Sequence, residues 1–329
     1  MNRIVIVYIL LFILLTQIKV VAQDSQFSQF YASSLYLAPS FAGSTDGDRI
    51  AANYRNQWPS LTRAFQTYAL SYDHYFPHLN SGVGVLLYRE QAGTSNLATT
   101  NIGLAYSYKF QFNSGWQVSP GLSFFYTQRS IAFDDLVFGD ELENPDTEGT
   151  AEIPILQRKS DIDASFSVLA FNKNYWAGFT WDRMLKPNRS LTGDISQDPF
   201  KFSLYGGAKF TIMDRYNWSS GQSLSPAFLF KMQDQYSQLD LGLYWYKMPL
   251  VIGVWYRGIP VLKELTSNDA LAFLVGFKID QFQIGYSYDL TISKLVGFTG
   301  GSHEISVIFQ FNQGITDREK RKMLPCPTI

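Results

Sequence analysis

Residues 281–311 read Gln281-Phe282-Gln283-Ile284-Gly285-Tyr286-Ser287-Tyr288-Asp289-Leu290-Thr291-Ile292-Ser293, then a Gly-rich turn, then His303-Glu304-Ile305-Ser306-Val307-Ile308-Phe309-Gln310-Phe311. In the first half Phe282, Ile284, Tyr286, Tyr288, Leu290 and Ile292 share one face, and the small or polar residues between them share the other. In the second half His303, Ile305, Val307, Phe309 and Phe311 alternate with Glu304, Ser306 and Gln310; Ile308 alone is apolar on the polar face. A period of two places successive side chains on opposite faces of a strand. A soluble sandwich also alternates, but over about four to eight residues. Strands this long, with aromatic outer faces, suit a lipid-facing barrel wall, where spanning takes ~9–11 residues.

The rest of the chain agrees. Its 329 residues carry a formal net charge of -1, which offers nothing to attract nucleic acid. Aromatics make up 16%, led by 26 Phe and 20 Tyr, while charged residues are only 17%, low against the usual ~25%. A mean hydropathy of -0.08 excludes a helical membrane protein with several spans. In a transmembrane barrel only every second residue meets lipid, which gives this composition.

One long apolar run exists, at the start. Asn2 and Arg3 precede Ile4 to Leu15, and Val20-Val21-Ala22 offers small residues before Gln23. This reads as a signal peptide over 1–22, cleaved after Ala22; the run is short of the ~17–25 residues a spanning helix needs. No cysteine lies near that site, which argues against a lipoprotein. The single cysteine, Cys326, has no internal partner, so the fold rests on backbone pairing and packing.

Residues 23–47 are aromatic and amide-rich, carry Pro39 and do not read as a wall strand; they are expected to pack in or below the barrel. From Asp48 the chain reads as strands over 48–57, 63–76, 82–91, 97–112, 116–132, 160–171, 175–186, 200–213, 223–233, 236–247, 250–259, 269–279, 281–293 and 302–312. The expected fold is all-β: one transmembrane antiparallel β-barrel of about 14 strands over 48–312, followed by a periplasmic tail at 313–329. Connections test this independently. Asn113-Ser114, Asn172-Lys173-Asn174, Met248-Pro249 and Asp280-Gln281 are short, whereas 133–159, 187–199, 260–268 and 294–301 are long; the exceptions are Asp234-Gln235, short for a loop, and Asp214 to Gln222, long for a turn. Short periplasmic turns alternating with long outer loops are a barrel property. With that orientation both chain ends are expected in the periplasm.

Little in the sequence suggests catalysis. The acidic run from Asp134 to Glu152 has oxygen ligands of the kind calcium takes, but lacks the alternation of a calcium loop around a central Gly and reads as solvated charge. His74 and His78 flank Phe76-Pro77 near a turn, a poor zinc pair. No Cys-x-x-Cys, Gly-x-Ser-x-Gly or phosphate-cradling loop occurs. Neither a cofactor nor a metal is expected, and Gly82-Val83-Gly84 carries no weight as a motif.

The candidate site residues fall in three places. Asn53, Arg55, Asn56, Gln57 and Trp58 combine donors, acceptors and an aromatic near the outer end of the first strand. Tyr286, Asp289, His303 and Glu304 belong to the closing hairpin, and Arg257 lies at the end of its strand. Two readings stand: a surface that binds a partner, or a luminal charge network with interfacial Tyr and Trp as girdle residues. Arg257 belongs with the lumen, because a charge facing lipid at the midplane costs ~2–4 kcal/mol.

Both ends of the mature chain resemble one family. Gln23-Asp24-Ser25-Gln26-Phe27-Ser28-Gln29-Phe30-Tyr31 with Leu35-Tyr36-Leu37-Ala38-Pro39-Ser40-Phe41-Ala42-Gly43 resembles the opening signature of the PorP/SprF family of Bacteroidota outer-membrane proteins. Asn53-Tyr54-Arg55-Asn56-Gln57-Trp58-Pro59 resembles its next block, and Gly285 to Leu295 with His303-Glu304-Ile305-Ser306 its closing one. Phe138-Gly139-Asp140, Trp255 to Pro260 and Cys326-Pro327 fit as well. The chain departs from the family in having Ser33-Ser34 and Ala38-Pro39 where Asn-Pro is frequent, and in ending on Ile329 rather than an aromatic. The resemblance implies a place in the outer membrane, within the type IX secretion and gliding machinery. Implied partners are outer-membrane lipid, a secreted cargo protein with a type IX C-terminal domain, and other type IX secretion components. A non-enzymatic role in exporting or holding an adhesin-like protein follows from it; the alternative is a passive pore for small solutes.

Overall fold

The computed structural model describes residues 26–45, 47–61, 65–93, 97–132, 156–191, 195–213, 221–234, 236–259, 270–292 and 297–311. The expected signal peptide, most of the acidic loop and the tail lie outside these residues.

Alternating apolar and small residues produce fourteen antiparallel strands that close on themselves. They are β1 (Asp48–Gln57), β2 (Phe65–Phe76), β3 (Ser81–Ala92), β4 (Leu97–Tyr108, continued by Phe110–Gln111), β5 (Gln117–Ser130), β6 (Arg158–Phe171) and β7 (Tyr175–Asp182). Then come β8 (Lys201–Ala208, continued by Phe210–Met213), β9 (Gln222–Gln233), β10 (Tyr236–Lys247), β11 (Leu250–Ile259), β12 (Ala270–Ile279), β13 (Phe282–Thr291) and β14 (Ser302–Phe311). Each strand pairs with its neighbours in sequence, and β14 returns to β1 in register from Asp48↔Phe311 to Gln57↔Ser302. Closure leaves no row of unpaired amides to face lipid, the condition for a sheet to span a bilayer. Among the described residues no helix is long and apolar enough to cross a membrane.

Two expected strands are interrupted. β4 breaks at Lys109 and β8 at Lys209, and in each case the next strand carries a proline one position from the break, Pro120 in register with Tyr108 or Pro226 with Ala208. Proline has no N–H to give the ladder. The lysine amide is satisfied elsewhere: Lys109 N–H donates to Asn80 O and Lys209 N–H to Asn174 O, both at 2.7 Å.

The outer face is a belt of large apolar side chains. Leu104 is 62% exposed, Phe124 64% and Ile162 63%, values that only a surrounding apolar phase makes sensible. Leu104→Arg is therefore expected to destabilise the barrel by about 2–4 kcal/mol in urea unfolding from lipid vesicles. An unchanged midpoint would place this residue outside the hydrocarbon.

The inner face surrounds a piece of the chain itself. Residues 26–45 lie in the lumen, with one helical turn, α1 (Ser34–Leu37), and a 3-10 turn at Pro39–Phe41. Phe30, Tyr31 and Phe41 pack with Trp176, Tyr205, Leu229, Tyr244, Trp255 and Leu274 from the wall, so the hydrophobic core sits inside the barrel. Where this plug meets the wall most closely, the wall has glycine. A Cβ on Gly82 would lie 2.1 Å from Ala42 O, and one on Gly121 would lie 2.4 Å from Ser40 N.

Candidate functional site

The plug has almost no regular structure, so its backbone amides and carbonyls need partners from elsewhere. The wall supplies them from luminal positions on nearly every side. At the short-turn end Arg49 donates to Tyr31 O at 2.8 Å and Ala32 O at 3.0 Å, and also to the Ser34 hydroxyl. Gly43 is held from both sides: its N–H donates to Asp73 Oδ2 at 3.0 Å, and its carbonyl accepts from Lys109 Nζ. Between the two ends Ser40 N–H donates to Ser167 Oγ at 2.8 Å and Ser107 Oγ donates to Ala42 O at 2.7 Å.

The densest group lies near the end that carries the long loops. Arg55 bridges two buried carboxylates, with Nη2 2.7 Å from Asp289 Oδ2 and Nη1 3.2 Å from Glu304 Oε2. Arg257 Nη1 meets the same Asp289 oxygen at 2.7 Å. Ser28 of the plug stands at the centre. Its hydroxyl lies 2.8 Å from both Asp289 oxygens and accepts from Arg55 and Arg257 at 2.7 Å each. Glu304 caps the plug backbone, accepting Ser28 N–H at 2.7 Å and Gln29 N–H at 3.0 Å. The Gln29 amide reaches Ser287 Oγ and Glu304 O, and accepts from Ser306 Oγ at 2.5 Å. Gln26 Oε1 accepts from Lys231 at 2.7 Å, Arg257 at 3.1 Å and Gln238 at 3.3 Å.

Because these partners stand near the loop ends of β9, β10 and β11, Gln26 lies at the loop end of the lumen. The plug runs from the loop end to Gly43 at the short-turn end before β1 begins.

The ten candidate residues divide by strand parity. Arg55, Arg257, Asp289 and Glu304 come together as one luminal network. Asn53 is also buried on the luminal face, its Nδ2 without a partner among the described residues. Gln57 closes β1 opposite Ser302 and Phe65, on the same parity as Arg55. Asn56, Tyr286 and His303 fall on the outer face and do not join the lumen. Tyr286 Oη is 2.8 Å from His303 Nδ1, and Asn56 lies cross-strand from His303. Trp58 sits beyond the end of β1, with φ 60 and its N–H on Gly301 O at 2.8 Å, its ring 5.6 Å from Phe65. With His303 outside and Ser287 and Asp289 inside, these side chains form no Ser-His-Asp arrangement.

Ser28, Gln29, Arg49, Asp73, Lys109 and the two wall glycines are absent from the sequence-based set. A charge at a luminal parity is the usable signal for Arg49, Asp73 and Lys109; Ser28 and Gln29 are marked only by lying in the stretch that resembles the family's opening signature.

The type IX secretion system membrane protein PorP/SprF family model matches residues 20–309. A comparison with curated proteins returns no match. Among solved structures, Omp33, an outer membrane protein of Acinetobacter baumannii, is 8% identical, with 82% of this chain and 100% of that one covered and a TM-score of 0.47. The P. putida toluene transporter TodX is 10% identical, with 83% and 91% covered and a TM-score of 0.47.

Proposed function

The chain belongs to the PorP/SprF family of type IX secretion system membrane proteins, and from that premise we propose that it is a non-enzymatic, plugged outer-membrane barrel that helps a cognate secreted protein to be exported or held at the cell surface. The cargo would be adhesin-like and carry a type IX C-terminal domain, and other type IX secretion components would be further partners. The supporting observation is the occupied lumen. A solute pore needs an open path, whereas here the plug is tied to one side of the wall through Ser28 and Gln29 with Arg55, Asp289 and Glu304, and to the other through Ser40 with Ser167. A rigid closed cylinder suits a docking platform, with recognition left to the loops at one end.

Deleting the gene is expected to lower the surface display of one adhesin while small-solute uptake stays intact. Immunolabelling of intact cells beside a nutrient-uptake assay reads both. Normal display of every surface protein in the deletion strain would reject the cargo role, and a loss of uptake alone would restore the pore.

A further inference from the structure

At the loop end of the lumen two partly open clefts share a wall. The first holds about 400 Å³ of unfilled space and the second about 380 Å³, the solvent at their mouths included. Both are lined by Gln26 of the plug, Lys201 of β8 and Lys231 of β9. Phe27, Phe30, Leu37 and Leu229 give the first an apolar floor. Among the described residues no carboxylate lines either cleft.

The strand register brings the two lysines together. β8 pairs with β9 so that Lys201 stands opposite Gln233 and Lys231 opposite Ser203. The lysines are thus diagonal neighbours, a relation that puts two residues about 7–8 Å apart. Lys231 Nζ donates to Gln26 Oε1 at 2.7 Å and lies 3.6 Å from Asp240 Oδ2. Asp240 is itself buried and already accepts from Gln238 and from Gly258 N–H. Lys201 Nζ is 4.0 Å from Asp182 Oδ2, at the limit of an ion pair, and Asp182 lines a neighbouring cleft instead. An ammonium group carries three donors, so Lys231 has one left to offer. Side-chain exposures of 17% for Lys201 and 13% for Lys231 make the space beside them reachable.

We propose that this double cleft binds a small amphiphilic carboxylate, its oxygens taken by Lys201 and Lys231 and its apolar body laid against Leu37 and Leu229. Two ammonium groups on adjacent strands match the two oxygens of a carboxylate, and such charge-assisted bonds are the strong ones. A dianionic phosphate ester would ask for more donors than this pair supplies, and the apolar floor has none. Small-ligand sites commonly have this make-up, apolar surface with a few placed polar groups. The ligand enters from the loop side, as a free acid or as the last residue of a polypeptide. The assignment does not rest on the cargo role, since it concerns a small ligand and is read with no cargo present.

Ligand-observed NMR titration of the full-length protein in phosphatidylcholine nanodiscs tests it, with empty nanodiscs as the blank. The probes are hydrocinnamate and N-acetylphenylalanine, each beside its carboxamide. At least one acid is expected to bind, and its amide about tenfold more weakly, the worth of one charge-assisted hydrogen bond. Tighter binding of hydrocinnamate identifies a free acid as the source, and of N-acetylphenylalanine a chain terminus. Lys201→Gln should weaken acid binding about tenfold. Lys201→Arg should retain it, which separates loss of charge from misfolding. Lys173→Gln, exposed in a short turn at the other end of the barrel, should change nothing. No binding of either acid, equal binding of acid and amide, undiminished binding by Lys201→Gln, or equal weakening by Lys173→Gln would overturn the site.

Discussion

Arg55→Ala is expected to destabilise the barrel by about 3–5 kcal/mol, the usual result of leaving a buried charge without its partner. Asp289 would keep Arg257 and Ser28, but Glu304 is fully buried and would keep only the amides of Ser28 and Gln29. Urea unfolding in lipid vesicles, followed by the electrophoretic mobility shift of the folded barrel, measures the loss. The double variant Arg55→Met with Glu304→Gln should recover part of it, because no unpaired charge remains, although the Gln NH2 gives no acceptor to one of the two plug amides. If the double variant proves as unstable as the single one, charge pairing is not the dominant contribution of Arg55, and its packing or the Glu304 bonds to the plug amides are what matter.

The second large effect is electrical. In planar lipid bilayers the intact protein should show no steady conductance, and a variant lacking residues 26–45 should show discrete open steps. Gly82→Val combined with Gly121→Val gives a subtler route to the same end. Both added side chains would fall on plug backbone rather than on yielding side-chain tips, at Ala42 and Ser40. The plug must then shift, and flickering current is expected. A folded deletion variant that stays silent would show that the wall closes the lumen by itself. Steady conductance through the intact protein would remove the plugged reading altogether.

Much of this was legible in residues 281–311. Alternation from Phe282 to Phe311 yields the last two strands, their outer face and the luminal parity of Asp289 and Glu304. The same period, applied to Arg55 and Arg257, puts all four ionisable groups inside a single tube. Parity alone also separates Asn56, Tyr286 and His303 from them, although they are neighbours in sequence. What the period of two does not carry is register around the ring. Nothing local says that Arg55 and Arg257 meet at Asp289, some 230 and 32 residues away in the chain.

The plug was harder to read for a physical reason. Its segment has no periodicity because its backbone is satisfied by wall side chains instead of by its own ladder. Ser28 is held by Asp289, 261 positions distant, and Ser40 by Ser167, 127 positions distant. Pro120 and Pro226 were visible within strand windows and did mark irregularities. They fall in the strand after each break, so the interruption appears at Lys109 and Lys209 rather than at the prolines.

Gln26 and Asp48 stand at opposite mouths of a ring that has no gap, and the stretch between them is continuous with the first stave of that ring. Such a cord can be drawn through lengthwise but cannot be slipped in sideways once the hoop is complete. The seam where the first and last staves meet is also where Arg55 and Glu304 grip Ser28. That seam therefore acts as a clasp, fastening the cylinder and its own mandrel with the same pair of side chains.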